Sequence, residues 1–161
     1  MGRRYILAID PGTVQSAYVY WDSGQKVITD KGILLNQDMV KYLTSYYKPG
    51  SNMDDVVIEM IASYGMPVGK EVFNTCVWIG RFYQASLYPV HLIYRKEVKM
   101  FLCGNMRAKD ANIRQALIDM LGKDVTKGVS KDVWSALAVA VTYVSSVVGL
   151  EDEKTLQECG L

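Results

Sequence analysis

The sequence predicts a single α/β domain built on a five-stranded sheet flanked by helices, and three observations carry that prediction. Two short apolar runs, Tyr5 to Ile9 and Val56 to Ile58, are each closed by a carboxylate, Asp10 and Glu59. A run without polar alternation marks a strand covered on both faces. Between them, Ser16 to Trp21 and Lys26 to Leu35 flank the turn Asp22-Ser23-Gly24 and read as an antiparallel hairpin continuing from the first strand. Longer stretches with helical spacing of apolar residues fill most of the remainder. With 161 residues there is room for one well-packed core. The domain is assigned to residues 1–150, and 151–161 are expected to form a loose tail.

In chain order, the first strand ends abruptly at Asp10, and Pro11-Gly12 turn the chain away. Gly12 lacks the side chain that would keep a phosphate or metal at a distance. After the hairpin, Met39, Val40, Leu43, Tyr46 and Tyr47 sit at helical spacing, and Lys48-Pro49-Gly50 stops that helix. The strand ending at Glu59 follows. Gly65 to Gly69 opens a helix from about Val68 to Leu87, with Val72, Cys76, Ile79 and Tyr83 on one face and surplus apolar groups, Phe73, Val77, Trp78 and Phe82, on the others. The fifth strand is Pro89 to Tyr94. It holds the only histidine, His91, which without a second histidine or nearby cysteine reads as a core or turn residue. Arg95 to Leu102 is a short basic helix closed by Gly104. Ala108 to Leu121 is amphipathic, with Ile113, Leu117, Met120 and Leu121 inward. Asp124 to Ser130 is a polar loop. Lys131 to Val148 is the last helix, its Ala136, Ala138 and Ala140 permitting close approach to a sheet.

Composition excludes several classes. Half the residues are hydrophobic and 22% are charged, a globular profile. Cys76, Cys103 and Cys159 are odd in number and lack C-x-x-C spacing, which argues against a disulfide framework or zinc site and suits a reducing, cytoplasmic setting. The N-terminal apolar run is too short for a signal peptide. Val133 to Leu150 carries Ser135, Thr142, Ser145 and Ser146 and reads as a core helix, not a span, so no membrane partner is expected. The formal charge of +1 names no partner, but from Arg95 to Lys131 nine basic residues face four acidic ones, a sign of a polyanion partner.

Asp10 and Glu59 become neighbours if their buried strands are adjacent and parallel, since both then end on one sheet edge. Asp132 joins them from the start of the last helix. Three clustered carboxylates raise one another's pKa unless a hard divalent cation neutralises them, and Mg2+ is the natural occupant. Two such ions roughly 3.5 to 4 Å apart suit phosphodiester hydrolysis.

Ile9-Asp10-Pro-Gly12-Thr13, Val57-Ile58-Glu59 and Lys131-Asp-Val-Trp-Ser-Ala-Leu-Ala-Val-Ala140 resemble, in order and spacing, the active-site segments of the RuvC-type Holliday-junction resolvases, a branch of the ribonuclease H-like nucleases. The resemblance spans about residues 4 to 148. It implies a mixed sheet with the first three strands antiparallel, a homodimer, and Mg2+-dependent nicking of branched DNA, Mn2+ substituting, that leaves 5′-phosphate and 3′-hydroxyl ends. Two ions are implied per site and no small-molecule cofactor. Asp10 resembles the carboxylate that bridges both metals, with Glu59 and Asp132 as further ligands. Where the family has a second carboxylate in the last helix, this chain has Ser135, on the same helical face as Asp132. Where many resolvases place an aromatic three residues after the glutamate, it has Ala62, and Tyr64 is the nearest substitute. Tyr64, Lys70, Arg95, Lys96, Lys99, Arg107, Lys109, Arg114 and Lys131 are the residues expected to meet four-way junctions or forks. Other readings are a related nuclease acting on RNA or flaps, and a branched-DNA-binding module with weakened catalysis. Sugar-kinase and actin-like ATPases share an Asp-x-Gly-Thr turn but need two such domains.

Overall fold

A computed structural model describes residues 3–45 and 53–158. Its five-stranded sheet has the order β3-β2-β1-β4-β5, with β1 Tyr5–Asp10, β2 Gln15–Asp22, β3 Val27–Leu35, β4 Asp55–Met60 and β5 Val90–Tyr94. The first three strands are antiparallel neighbours, while β4 runs parallel to both β1 and β5. This is the mixed α/β sheet expected from the sequence.

The unbroken apolar run of β1 follows from its central place. Ile6 and Ala8 enter a core shared with Val57, Leu117 and the last helix, while Leu7 and Ile9 enter a second core with Val56, Ile58, Met39 and Phe82. Side chains alternate between faces along a strand, so a strand covered on both sides needs apolar residues at every position. The helices are α1 Asn36–Leu43, α2 Lys70–Ala85, α3 Arg95–Cys103, α4 Asp110–Leu121 and α5 Val133–Glu158. α1 and α2 cover one face. α5 lies across β1 and β2 on the other, and Ala136, Ala138 and Ala140 are fully buried, which is the close approach those small side chains permit.

Several boundaries and faces differ from the sequence reading. α1 ends at Leu43, and the expected stop at Lys48-Pro49-Gly50 lies outside the described residues. α2 buries Thr75, Ile79 and Phe82 and turns Tyr83 outward, so its inner face is rotated from the one expected. With apolar residues all round the helix, periodicity alone does not select a face. Met120 of α4 is exposed, not inward. Lys131 has φ +50°, a left-handed conformation that no helix continues through, so α5 begins at Val133. It runs to Glu158, giving helical backbone to 151–158, where a loose tail was expected. His91 is neither core nor turn; it is half-exposed on β5, with Nε2 3.3 Å from Asp55 Oδ1. Among the described residues no helix is long and apolar enough to cross a membrane.

Candidate active site at the sheet edge

The parallel pairing of β1 and β4 sets Ile9 opposite Ile58, so Asp10 and Glu59 leave the sheet side by side at the same edge. A hydrogen-bonded clasp holds the turn after Asp10. The Gly12 N–H donates to Ser16 Oγ at 3.2 Å, buried Ser16 Oγ bonds Asn36 Oδ1 at 2.6 Å, and Asn36 Nδ2 donates to the Gly12 carbonyl at 2.9 Å. Gly12 is required because a Cβ there would lie 2.3 Å from the Gln15 carbonyl oxygen. That contact gives Gly12 a role in closing the turn against its own backbone.

Asp132 sits in the turn before α5, and Ser135 in that helix's first turn. Asp10 is mostly buried, and that burial, reinforced by the charges of Glu59 and Asp132, pushes its pKa up to about 8. Burial also raises Glu59, with Arg95 acting in the opposite direction. A carboxyl that stays protonated near neutral pH marks a site short of positive charge.

Arg95 is the first residue of α3, immediately after β5. Glu97 fixes this helix start by accepting the Tyr94 N–H at 2.7 Å. The Arg95 guanidinium reaches back over the sheet edge, with Nη1 3.4 Å from Glu59 Oε2 and 3.3 Å from Ser135 Oγ, and Nη2 on Asp110 Oδ1. Asp110, at the start of α4, was not among the residues singled out from sequence, where it counted only as one charge in a basic stretch. Among the described residues no three acidic, histidine or cysteine side chains converge closely enough to hold a metal ion on their own. The oxygen donors suit a hard cation in kind. Asp10 and Asp132, whose charges act on one another, are the carboxylates that would hold such an ion, with water and substrate phosphate completing it as is common for magnesium.

The sequence matches no protein-family model and no curated protein. The structure does find solved structures of similar fold. It is similar to Thermus thermophilus RuvC, with a TM-score of 0.64 and 14% identity over 87% of this chain and 93% of that one. A second T. thermophilus RuvC structure, in complex with Holliday junction substrate, gives a TM-score of 0.66 and 16% identity over 88% and 93%. The Fowlpox virus resolvase in its complex with substrate Holliday junction DNA gives 0.52 and 17% over 88% and 99%. The fold is that of RuvC, a ribonuclease H-like resolvase.

On this RuvC fold, a cleft of about 510 Å3 opens beside the carboxylates, lined by Glu59, Met60, Tyr64, Arg95, Lys99 and Met106 among others. Lys96 also lines it. Tyr64 lines the cleft, is exposed at φ +49° in the loop after β4, and belongs to neither core. Lys70, Arg107, Lys109, Arg114 and Lys131 are exposed and lie outside this cleft's lining. Arg114 rests over the Trp134 ring at 5.5 Å. The apolar cleft residues Met60 and Met106 had no sequence signal, since neither falls on a periodic face.

Proposed function

We propose that the chain is a divalent-metal-dependent endonuclease that cuts branched DNA, four-way junctions foremost, with Asp10, Glu59 and Asp132 as its acidic centre. What supports this reading is that Asp10 and Glu59 leave paired strands at one edge of a RuvC-type sheet, with the charge of Asp132 acting on Asp10, beside a cleft bordered by Lys96 and Lys99. A bound Mg2+ or Mn2+ supplies Lewis-acid chemistry at the scissile phosphate. The chain's own residues do the rest. Buried Asp10 holds a proton until a counter-charge arrives and releases it then. Lys96 and Lys99 border the approach with positive charge, and Tyr64 offers an exposed ring on which a base can stack.

A symmetric junction presents two equivalent strands, and a two-fold dimer presents two equivalent sites. The α2 face bearing Phe73, Val77 and Tyr83, exposed by 61%, 57% and 52%, supports a second copy of the chain as its cover.

The test is cleavage of labelled four-way junction, Y-fork, duplex and RNA–DNA hybrid in Mg2+ or Mn2+, with the cuts mapped. Symmetric cuts in the junction are expected, abolished in Asp10→Asn with junction binding retained. Cleavage of the hybrid alone would point to a nuclease acting on RNA. Junction binding without any cutting would reduce the protein to a binding module.

A further inference from the structure

The residue that does not fit an open two-metal site is Arg95. A DNA-facing arginine is expected to be solvated, yet this side chain is only 28% exposed and is held at three points. Its Nη1 donates toward Glu59 and Ser135, and its Nη2 is paired with Asp110, itself 81% exposed and solvated. Contacts on both terminal nitrogens fix the plane of the guanidinium, so it is a placed charge and not a mobile one. Position 135 is complementary to it. A hydroxyl accepts a guanidinium N–H without adding charge, whereas a carboxylate there would create demand for a further cation.

Charge balance points the same way. Leaving out Asp110, whose carboxylate is 81% exposed and screened by water, Asp10, Glu59 and Asp132 carry three negative charges; one guanidinium and one divalent ion carry three positive. Two divalent ions with Arg95 in place would carry five, in a partly buried site where uncompensated charge is costly.

We propose that Arg95 is a built-in second cation: its guanidinium occupies the space between Glu59 and Ser135, so that Asp10 and Asp132 take one divalent ion in place of the two expected from the sequence. The inference rests on the metal-dependent reading above. Within it, Arg95 is a positioning residue that holds Glu59, and the pair Arg95 with Ser135 substitutes for the pair of a metal ion with a carboxylate.

The experiment counts Mn2+ bound per chain by the full-length protein without DNA, from the signal of free Mn2+ in a titration followed by electron paramagnetic resonance. The wild type is expected to bind one ion. S135D alone is also expected to bind one, because the new carboxylate pairs with Arg95. The double variant R95Q/S135D, with the guanidinium gone and a carboxylate restored, is expected to bind two. K99A removes a charge that also acts on Glu59 and is expected to stay at one, which separates occupancy of the site from a general electrostatic effect. Two ions in the wild type or in S135D would overturn the inference, as would a single ion in a folded R95Q/S135D. Should the double variant fail to fold, the counts for the wild type and S135D still decide. No ion in any variant would sink the metal-dependent reading itself, and this inference with it.

Discussion

Asp10→Asn should stabilise the metal-free protein, and the gain should depend on pH in a defined direction. In the folded chain the carboxyl titrates at about 8, against an ordinary value of 3.8. The unfolded chain ionises at the lower value, so stability is fully present below about pH 4 and is lost as pH rises toward 8. Each pH unit in that window costs up to about 1.4 kcal/mol, a ceiling of about 6 kcal/mol at pH 8. Asp10 is not completely shielded from water, and screening reduces the expected loss to about 2 kcal/mol. Asparagine keeps the shape and never ionises. Thermal melts in EDTA should therefore show near-equal midpoints for wild type and D10N at pH 4, and a D10N advantage of about 4 to 8 °C at pH 8, at 2 to 4 °C per kcal/mol for a chain of this size. Adding millimolar Mg2+ should narrow the gap, since a bound cation stabilises only the wild-type carboxylate. A D10N midpoint equal to or below wild type at pH 8 would refute the crowding of negative charge at this edge.

Three further outcomes follow from other contacts. Asn36→Ala removes both arms of the clasp on the Gly12 turn and leaves Ser16 Oγ buried, so urea unfolding should show a loss of about 2 kcal/mol; a loss below about 0.5 kcal/mol would mean that water replaces the clasp. Lys99→Ala should lower the slope of log junction affinity against log salt by about one unit if it meets a phosphate, and an unchanged slope returns it to ordinary surface. Phe73→Glu should shift the protein from dimer to monomer in sedimentation at micromolar concentration, and a wild type that is already monomeric refutes the α2 interface.

The carboxylates at the sheet edge were legible in the sequence because a doubly covered strand has no polar residue until it leaves the core. In β1 that residue is Asp10; in β4, beyond the buried Asp55 at its start, the run Val56 to Ile58 is apolar and the next polar residue is Glu59. Their adjacency needed only the parallel pairing of two central strands, and the alanines of α5 announced a helix lying close on the sheet. The meeting of Arg95 with Asp110 was not legible. It depends on how α3 and α4 fold against each other, and a count of charges along Arg95 to Lys131 records their signs but not who faces whom. The same limit applies to α2, where apolar residues on every side conceal which of them is covered by the sheet and which by nothing within the chain.

The two ends of the sheet show what distinguishes the carboxylates proposed to act on substrate from those that tie strands together. At the far end Asp22 is bound by Arg3 and by the Gly24 and Gln25 N–H groups, and the guanidinium holds its carboxyl below the ordinary range. Asp55, at the start of β4, accepts from Arg4 Nη1 at 2.9 Å and lies beside His91. Those acids tie the first strand to its neighbours and have cations of their own. At the opposite edge Arg95 pairs with Glu59 and Asp110 while Asp10 stands near the charges of Glu59 and Asp132, and Asp10 and Glu59 are pushed up in pKa. A fold gains nothing from leaving buried carboxylates short of counter-charge, and the deficit at this edge is what supports the proposal that a cation from outside the chain completes it.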